Sequence, residues 1–311
     1  MRGSVKWQVN TILREITQIG SSRHEAKQQA TYKNPHELAK QTGIHSYKTL
    51  DTYRNIAQNL LQYAKENGFT KDIEKLTPEA VQSFLQSKLE QGISYNTLKT
   101  YAAAITKLET ALEKHNGNTY DLSKAAQEVL SQARANGMQP PEQHRAFQNP
   151  QAVLQNIFNQ EYRTIAQFQL ASGLRLHELN HIRPDQLYEK DGKMYVSVEQ
   201  GKGGKEREVE VKDRQAFQAY KSLVEAKQQT EGKYAGKYTF SSSGYRAAVA
   251  SAAEKAGETE RGTHSFRWNY AQSEYINKQI EESKPETQAK LEVSHELGHN
   301  RESITDHYLH R

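Results

Sequence analysis

Apolar positions in the first half of the chain recur every three or four residues. Val9, Ile12, Leu13 and Ile16 form a stripe after Trp7, the spacing of one helical face. Ser22, with Glu25 three residues on, has the pattern of a capping box. From Ser46, the positions Leu50, Tyr53, Ile56, Ala57, Leu60, Leu61 and Ala64 keep helical spacing up to Gly68. Thr77-Pro78 pairs an N-cap with a proline at the first helical position and opens a helix through Val81, Phe84, Leu85 and Leu89 that ends by Gly92. Ser94 opens another, with Leu98, Tyr101, Ala102, Ile105, Leu108 and Leu112 on one face, and a shorter helix is predicted over Leu122–Ala133. These pieces predict a small helical bundle with Lys48, Arg54, Lys99 and Lys107 on polar faces.

Gly137, Pro140 and Pro141 interrupt this pattern, which places a linker at residues 136–148 and a second domain over 149–311. Helical spacing returns with Leu154, Ile157, Phe158, Ile165, Phe168 and Leu170. Two short alternating segments, Met194–Val198 and Glu208–Val211, flank a Gly/Lys-rich turn and predict a β-hairpin. Helices are expected again over Gln215–Lys227, Tyr245–Ala256 and Ser265–Ile280, followed by a polar interruption at Glu281–Glu286. The fold class is therefore mainly α with a small β-sheet or hairpin.

Composition narrows the chemistry. Among 311 residues there is no cysteine, which excludes disulfides, thiolate nucleophiles and Cys-ligated metal sites. No apolar run reaches the roughly 20 residues that span a bilayer, and mean hydropathy is −0.93. Residues 1–150 carry 19 basic and 14 acidic side chains, and residues 151–311 carry 23 of each. The net +5 thus sits in the first half, where it suits a polyanionic partner.

Five local patterns carry candidate chemistry. His295-Glu296-Leu297-Gly298-His299 matches H-E-x-x-H, a zinc-protease pattern, but Gly298 weakens a helix there and Glu302 and Thr305 stand where the extended pattern needs Gly and His. A helix end at Gly298 is the simpler expectation. Gly201-Lys202-Gly203-Gly204-Lys205 lacks P-loop spacing and reads as a hairpin turn. In Ala171-Ser172-Gly173-Leu174-Arg175-Leu176-His177-Glu178-Leu179, Arg175 is bracketed by leucines, which suggests a sheltered guanidinium needing anionic partners. Thr263-His264-Ser265-Phe266-Arg267 puts an imidazole and a guanidinium on one helical face, a good phosphate site. The last pattern is Ser303-Ile304-Thr305-Asp306-His307-Tyr308-Leu309.

The order of these patterns is more specific than any one of them. An arginine in A-S-G-L-R-x-x-E-L, the hairpin G-K-G-x-K-E-R, H-S-F-R, E-L-G-H and then a tyrosine in T-x-x-H-Y-L resemble the tyrosine recombinase family of phage integrases and chromosome-dimer resolvases, from about residue 34 to the end. The resemblance implies a SAM-like core-binding domain over 34–135 and a mixed α+β catalytic domain over 149–311. Residues 1–33 are then a helical extension or arm. It implies that Tyr308 is the nucleophile, that Arg175 and Arg267 clamp the phosphate oxygens, and that Lys202, with Lys205 as runner-up, is the general acid. His264 would help proton transfer from the tyrosine, His299 would hydrogen-bond a phosphate oxygen, and Glu178 would orient the first arginine. Lys48, Arg54, Lys99 and Lys107 would face DNA.

The implied enzyme cleaves and rejoins duplex DNA through a 3′-phosphotyrosyl link, with no ATP, metal or other cofactor. It would work as a homotetramer on two DNA sites in the cytoplasm, on nucleoid DNA, with a possible accessory DNA-bending or directionality protein and no membrane partner. A type IB topoisomerase-like enzyme, a catalytically silent DNA-binding relative and a zinc protease are the alternatives. The 31 residues between Arg267 and His299 include the charged insert, longer than in compact resolvases, and three residues follow Tyr308, where many relatives carry a further helix.

Overall fold

The computed structural model describes every residue except Lys33, 140–143, Gln200, 202–205, Glu260, 300–301 and 310–311, and leaves aside the side chains of His24 and 302–304. Lys202 and Lys205 therefore lie outside the described residues. The chain divides into two compact units, Met1–Pro141 and Glu142–Arg311.

The first unit is all helical: α1 (Val5–Arg14), α2 (Arg23–Gln29), α3 (Pro35–Gln41), α4 (Tyr47–Glu66), α5 (Pro78–Glu90), α6 (Tyr95–Asn116) and α7 (Leu122–Ala135). The hydroxyls of Ser22, Ser46, Thr77 and Ser94 each accept the backbone N–H three residues on, which satisfies one of the open donors of a helix start. Val9, Ile12, Leu13 and Ile16 are buried in one core with Leu60, Leu61, Phe84, Leu98 and Leu108, so α1 is packed into the bundle.

One expectation needs correcting here. Lys107 does not lie on an exposed polar face: it is only 6% exposed. Its ammonium donates to the carbonyls of Ala39 and Thr42 and to Thr42 Oγ1 at 3.2 Å. These are the open acceptors at the end of α3, where a cation also complements the helix dipole. Burial pushes the Lys107 amine down to about 8. The helical pattern of α6 gave no warning, because what covers Lys107 is α3, a distant segment of seven residues.

The second unit contains α8 (Pro150–Gln155), α9 (Gln160–Ser172), α10 (Leu176–Leu179), β1 (Leu187–Lys190), β2 (Lys193–Val198), β3 (Arg207–Glu210), α11 (Arg214–Lys227), α12 (Ser242–Lys255), α13 (His264–Ile280), α14 (Glu286–Glu296) and α15 (Glu302–Leu309). The strands form an antiparallel sheet in the order β1-β2-β3, with Tyr188 opposite Tyr195 and Val196 opposite Val209. The hairpin expected from sequence is β2–β3; β1 adds a strand. Met194, Val196 and Val198 alternate into the core, which they share with Phe168, Phe217, Tyr220, Phe266 and Trp268. No described helix is long and apolar enough to cross a membrane.

Candidate active site

The site gathers where α9 ends, α13 begins and α14 ends. Gly173 closes α9 in the left-handed conformation (φ +63°), which L side chains adopt at a cost. That turn sends Arg175 to the start of α10. Glu178, one turn on, is the centre of a charge network and its side chain is fully covered. Its Oε2 accepts from the Arg175 backbone N–H at 2.8 Å and from Arg207 Nη2 at 2.7 Å. Its Oε1 accepts from Arg175 Nη1 at 2.8 Å and Arg207 Nη1 at 3.1 Å. Burial alone would push this carboxyl up, but the hydrogen bond and charge of Arg207, with help from Arg175, hold it at about 2.

Arg267 is fully buried. Its Nη1 donates to the Gly173 carbonyl at 2.5 Å, its Nη2 to the Leu297 carbonyl, and its Nε to the Tyr308 hydroxyl at 3.4 Å. Burial lowers its pKa to about 10, which leaves it charged at neutral pH. The Leu297 carbonyl also accepts from Arg175 Nη2 at 3.2 Å, so one backbone oxygen joins the two arginines. A second Arg175 Nη2 contact reaches His299 Nε2 at 3.2 Å. Since a guanidinium only donates, Nε2 is the acceptor and the neutral ring carries its proton on Nδ1.

Tyr308, 5% exposed, is enclosed by rings. Trp268, His299 and His264 have centroids 5.1, 6.2 and 6.1 Å from it, and the Arg267 guanidinium lies 5.8 Å from its centroid. Its carbonyl accepts from Gln272 Nε2 at 2.9 Å. Trp268 also packs edge-on against His307. His264 is pushed down to about 4, mainly by burial and then by Arg267 and Arg175, so the imidazole is neutral at physiological pH.

The H-E-x-x-H pattern resolves differently. Helix α14 ends at Glu296, and Gly298 at φ +69° turns the chain away, so His295 and His299 do not share a helical face. Glu296 pairs with Lys278 at 2.9 Å and accepts from the Tyr270 hydroxyl at 3.0 Å. Among the described residues there is no cluster of three or more His, Asp or Glu able to hold a metal.

The structure thus brings together Arg175, Glu178, His264, Arg267, His299 and Tyr308. In the first unit Lys48 and Lys99 are exposed, and Arg54 is held by Asp51 at 2.6 Å. Sequence reasoning missed Arg207 and Trp268. Alternation in β3 puts Arg207 on the same side as the buried Val209, a signal that could have marked it; Trp268 had none beyond its place beside Arg267.

A sequence profile of the phage integrase family matches residues 142–311, more than half of the chain. The chain belongs to the phage integrase family. A second profile, for the N-terminal domain of phage integrases, matches residues 30–115. No curated protein matches the chain. Among solved structures, this integrase-family chain is similar to the XerH site-specific recombinase bound to its palindromic difH substrate, at 16% identity and TM-score 0.64, with 98% of this chain and 91% of that one covered. It is also similar to an integrase of the Tn1549 transposon in complex with transposon right end DNA (13% identity, TM-score 0.62, 99% and 95% covered). A lambda integrase dimer bound to a COC′ core site gives 16% identity and TM-score 0.58, with 85% and 89% covered. At these identities the likeness is one of fold. The family assignment makes the protein an enzyme of the tyrosine recombinase class.

Proposed function

We propose that this integrase-family enzyme is a site-specific DNA recombinase acting through a 3′-phosphotyrosyl intermediate. The observation that carries the reading is the Tyr308 hydroxyl 3.4 Å from Arg267 Nε, beside Arg175, His299 and a neutral His264. A donated N–H stabilises the oxygen lone pair that builds up as the phenol loses its proton.

Tyr308 Oη attacks the scissile phosphorus while its proton passes to His264. The P–O5′ bond breaks, and Lys202, or Lys205 in its place, protonates the departing 5′-oxygen. The free N–H groups of Arg175 and Arg267, with His299, hold the non-bridging oxygens, where charge accumulates in the transition state. Glu178 acts through Arg175, and Arg207 through Glu178. The new phosphodiester has nearly the energy of the old one, so a 5′-hydroxyl from another strand reverses the reaction and frees Tyr308 without ATP or metal. Duplex DNA is the substrate, with Lys48, Lys99 and the net positive first unit as its wider contacts. Strand exchange between two sites calls for a homotetramer, with an accessory DNA-bending or directionality protein as a further partner.

A nicked suicide duplex carrying the cognate core site tests this. A denaturation-resistant protein–DNA adduct is expected from the parent in EDTA and none from Tyr308→Phe. An adduct that persists in the variant, or that needs metal, refutes the mechanism. Exchange between two sites then separates a recombinase from a nicking-closing enzyme.

A further inference from the structure

A cavity of about 420 Å³ opens beside the reacting groups, with Arg175, His177, Arg246, Arg261 and His264 among the residues that line it. No acidic residue lines it. Arg246, on α12, and Arg261, just ahead of α13, are both exposed. Neither has an ion-pair partner among the described residues, whereas Arg175 and Arg207 share Glu178. Two guanidiniums without an ion-pair partner among the described residues therefore line the same pocket as Arg175 and His264.

One phosphodiester carries one negative charge, and Arg175 with Arg267 already answers it. The cavity is also larger than one phosphate group needs: as a cube it is roughly 7.5 Å on a side. We infer that Arg246 and Arg261 form a second anion subsite that holds the DNA backbone phosphate next to the scissile one. This inference rests on the proposed recombinase reading and adds to it. The subsite fixes the register of the strand, so that the scissile phosphorus rather than its neighbour faces Tyr308. Backbone contacts of this kind position DNA without reading its sequence.

The test measures binding of a labelled mixed-sequence duplex of about 30 base pairs over about 50–200 mM salt, since each neutralised phosphate adds about 0.9 to the slope of log K against log salt. Arg246→Ala and Arg261→Ala are each expected to make the slope shallower by about 0.9, while Arg246→Lys and Arg261→Lys, which keep the charge, restore it. Arg214→Ala serves as the control, because Arg214 already faces Glu189 at 3.7 Å; its slope should match the parent. If the two alanine variants change the slope no more than Arg214→Ala does, the subsite is overturned and the recombinase reading stands. An altered sequence preference at unchanged slope overturns it too, in favour of a base-edge contact. A parent protein that binds no duplex at all overturns the recombinase reading itself, and the subsite with it.

Discussion

Replacing Gly173 with alanine should damage the second unit far more than the same change at other turn glycines. Gly173 sits at φ +63°, and a Cβ there would lie 2.3 Å from Tyr270 Cδ1 and 2.8 Å from Cγ and Cε1. Left-handed backbone costs a non-glycine residue about 1–2 kcal/mol. The overlap adds about 1–3 kcal/mol, as in other overpacked cores, because Tyr270 cannot swing aside: it is almost fully buried and its hydroxyl is tied to Glu296. The sum, roughly 2–5 kcal/mol, corresponds to a fall in melting temperature of about 5–15 °C for a domain of this size. Gly257 is the control, at φ +72° with nothing within 4 Å of a new Cβ, so Gly257→Ala should show the backbone cost alone. The chain has two tryptophans: Trp7 is 51% exposed and Trp268 1%. In a Trp7→Phe background, Trp268 fluorescence therefore reports melting of the second unit. Equal destabilisation by the two alanine variants would refute the close approach. Because Gly173 also supplies the carbonyl for Arg267, Gly173→Ala should lose covalent adduct formation even at temperatures where it is folded.

Glu178→Gln removes the anion shared by two sheltered arginines; breaking such a pair costs about 3–5 kcal/mol, to be read by urea denaturation at pH 7, and a loss under 1 kcal/mol would contradict the network. His264 is held near 4 against 6.5 unfolded, so the unfolded chain binds the extra proton between these values. Stability should fall as pH drops from about 6.5 to about 4, by up to about 3 kcal/mol, and His264→Gln should flatten that limb; an unchanged slope in urea titrations rejects the assignment. Lys107→Met leaves the Ala39 and Thr42 carbonyls without their donor, a loss of about 1–3 kcal/mol, yet affinity for duplex DNA should not change; a drop in DNA affinity at equal stability would return Lys107 to the DNA-facing surface.

The sequence made some features plain and hid others for physical reasons. Helices starting at Ser46, Thr77 and Ser94 were legible because cap and periodicity agree over more than three turns. Strand β1 was not, since only Leu187 of its four residues is buried and its pairing depends on β2. Helix α14 hid in a polar segment whose buried residues, Ala289, Val293 and Ser294, are small and few. In the site, motif order pointed to Arg175, His264, Arg267, His299 and Tyr308. It included Arg207 as the last residue of G-K-G-x-K-E-R but gave it no role, because its partners Glu178 and the Glu296 carbonyl lie 29 and 89 residues away. Alternation in β3 marks Arg207 as inward-facing, but nothing local names partners so far away in the chain. Lys107 fell to the same limit from the opposite direction, as a charged residue covered by a segment far from it in the chain.

The single carbonyl of Leu297 that receives both Arg175 and Arg267 has a consequence for how this enzyme tolerates change. The gap between the two cations is gauged by a peptide plane, and a peptide plane is common to all twenty amino acids. Drift of side-chain identity at the exposed positions of α14 leaves the gauge untouched, so those positions are free to vary while the spacing of the guanidiniums persists. Length is what the helix cannot vary: one residue gained or lost between Val293 and Gly298 rotates the carbonyl by about 100° about the helix axis and uncouples both arginines at once. A deletion scan through this stretch, set beside an alanine scan of the same positions, would separate the two kinds of tolerance.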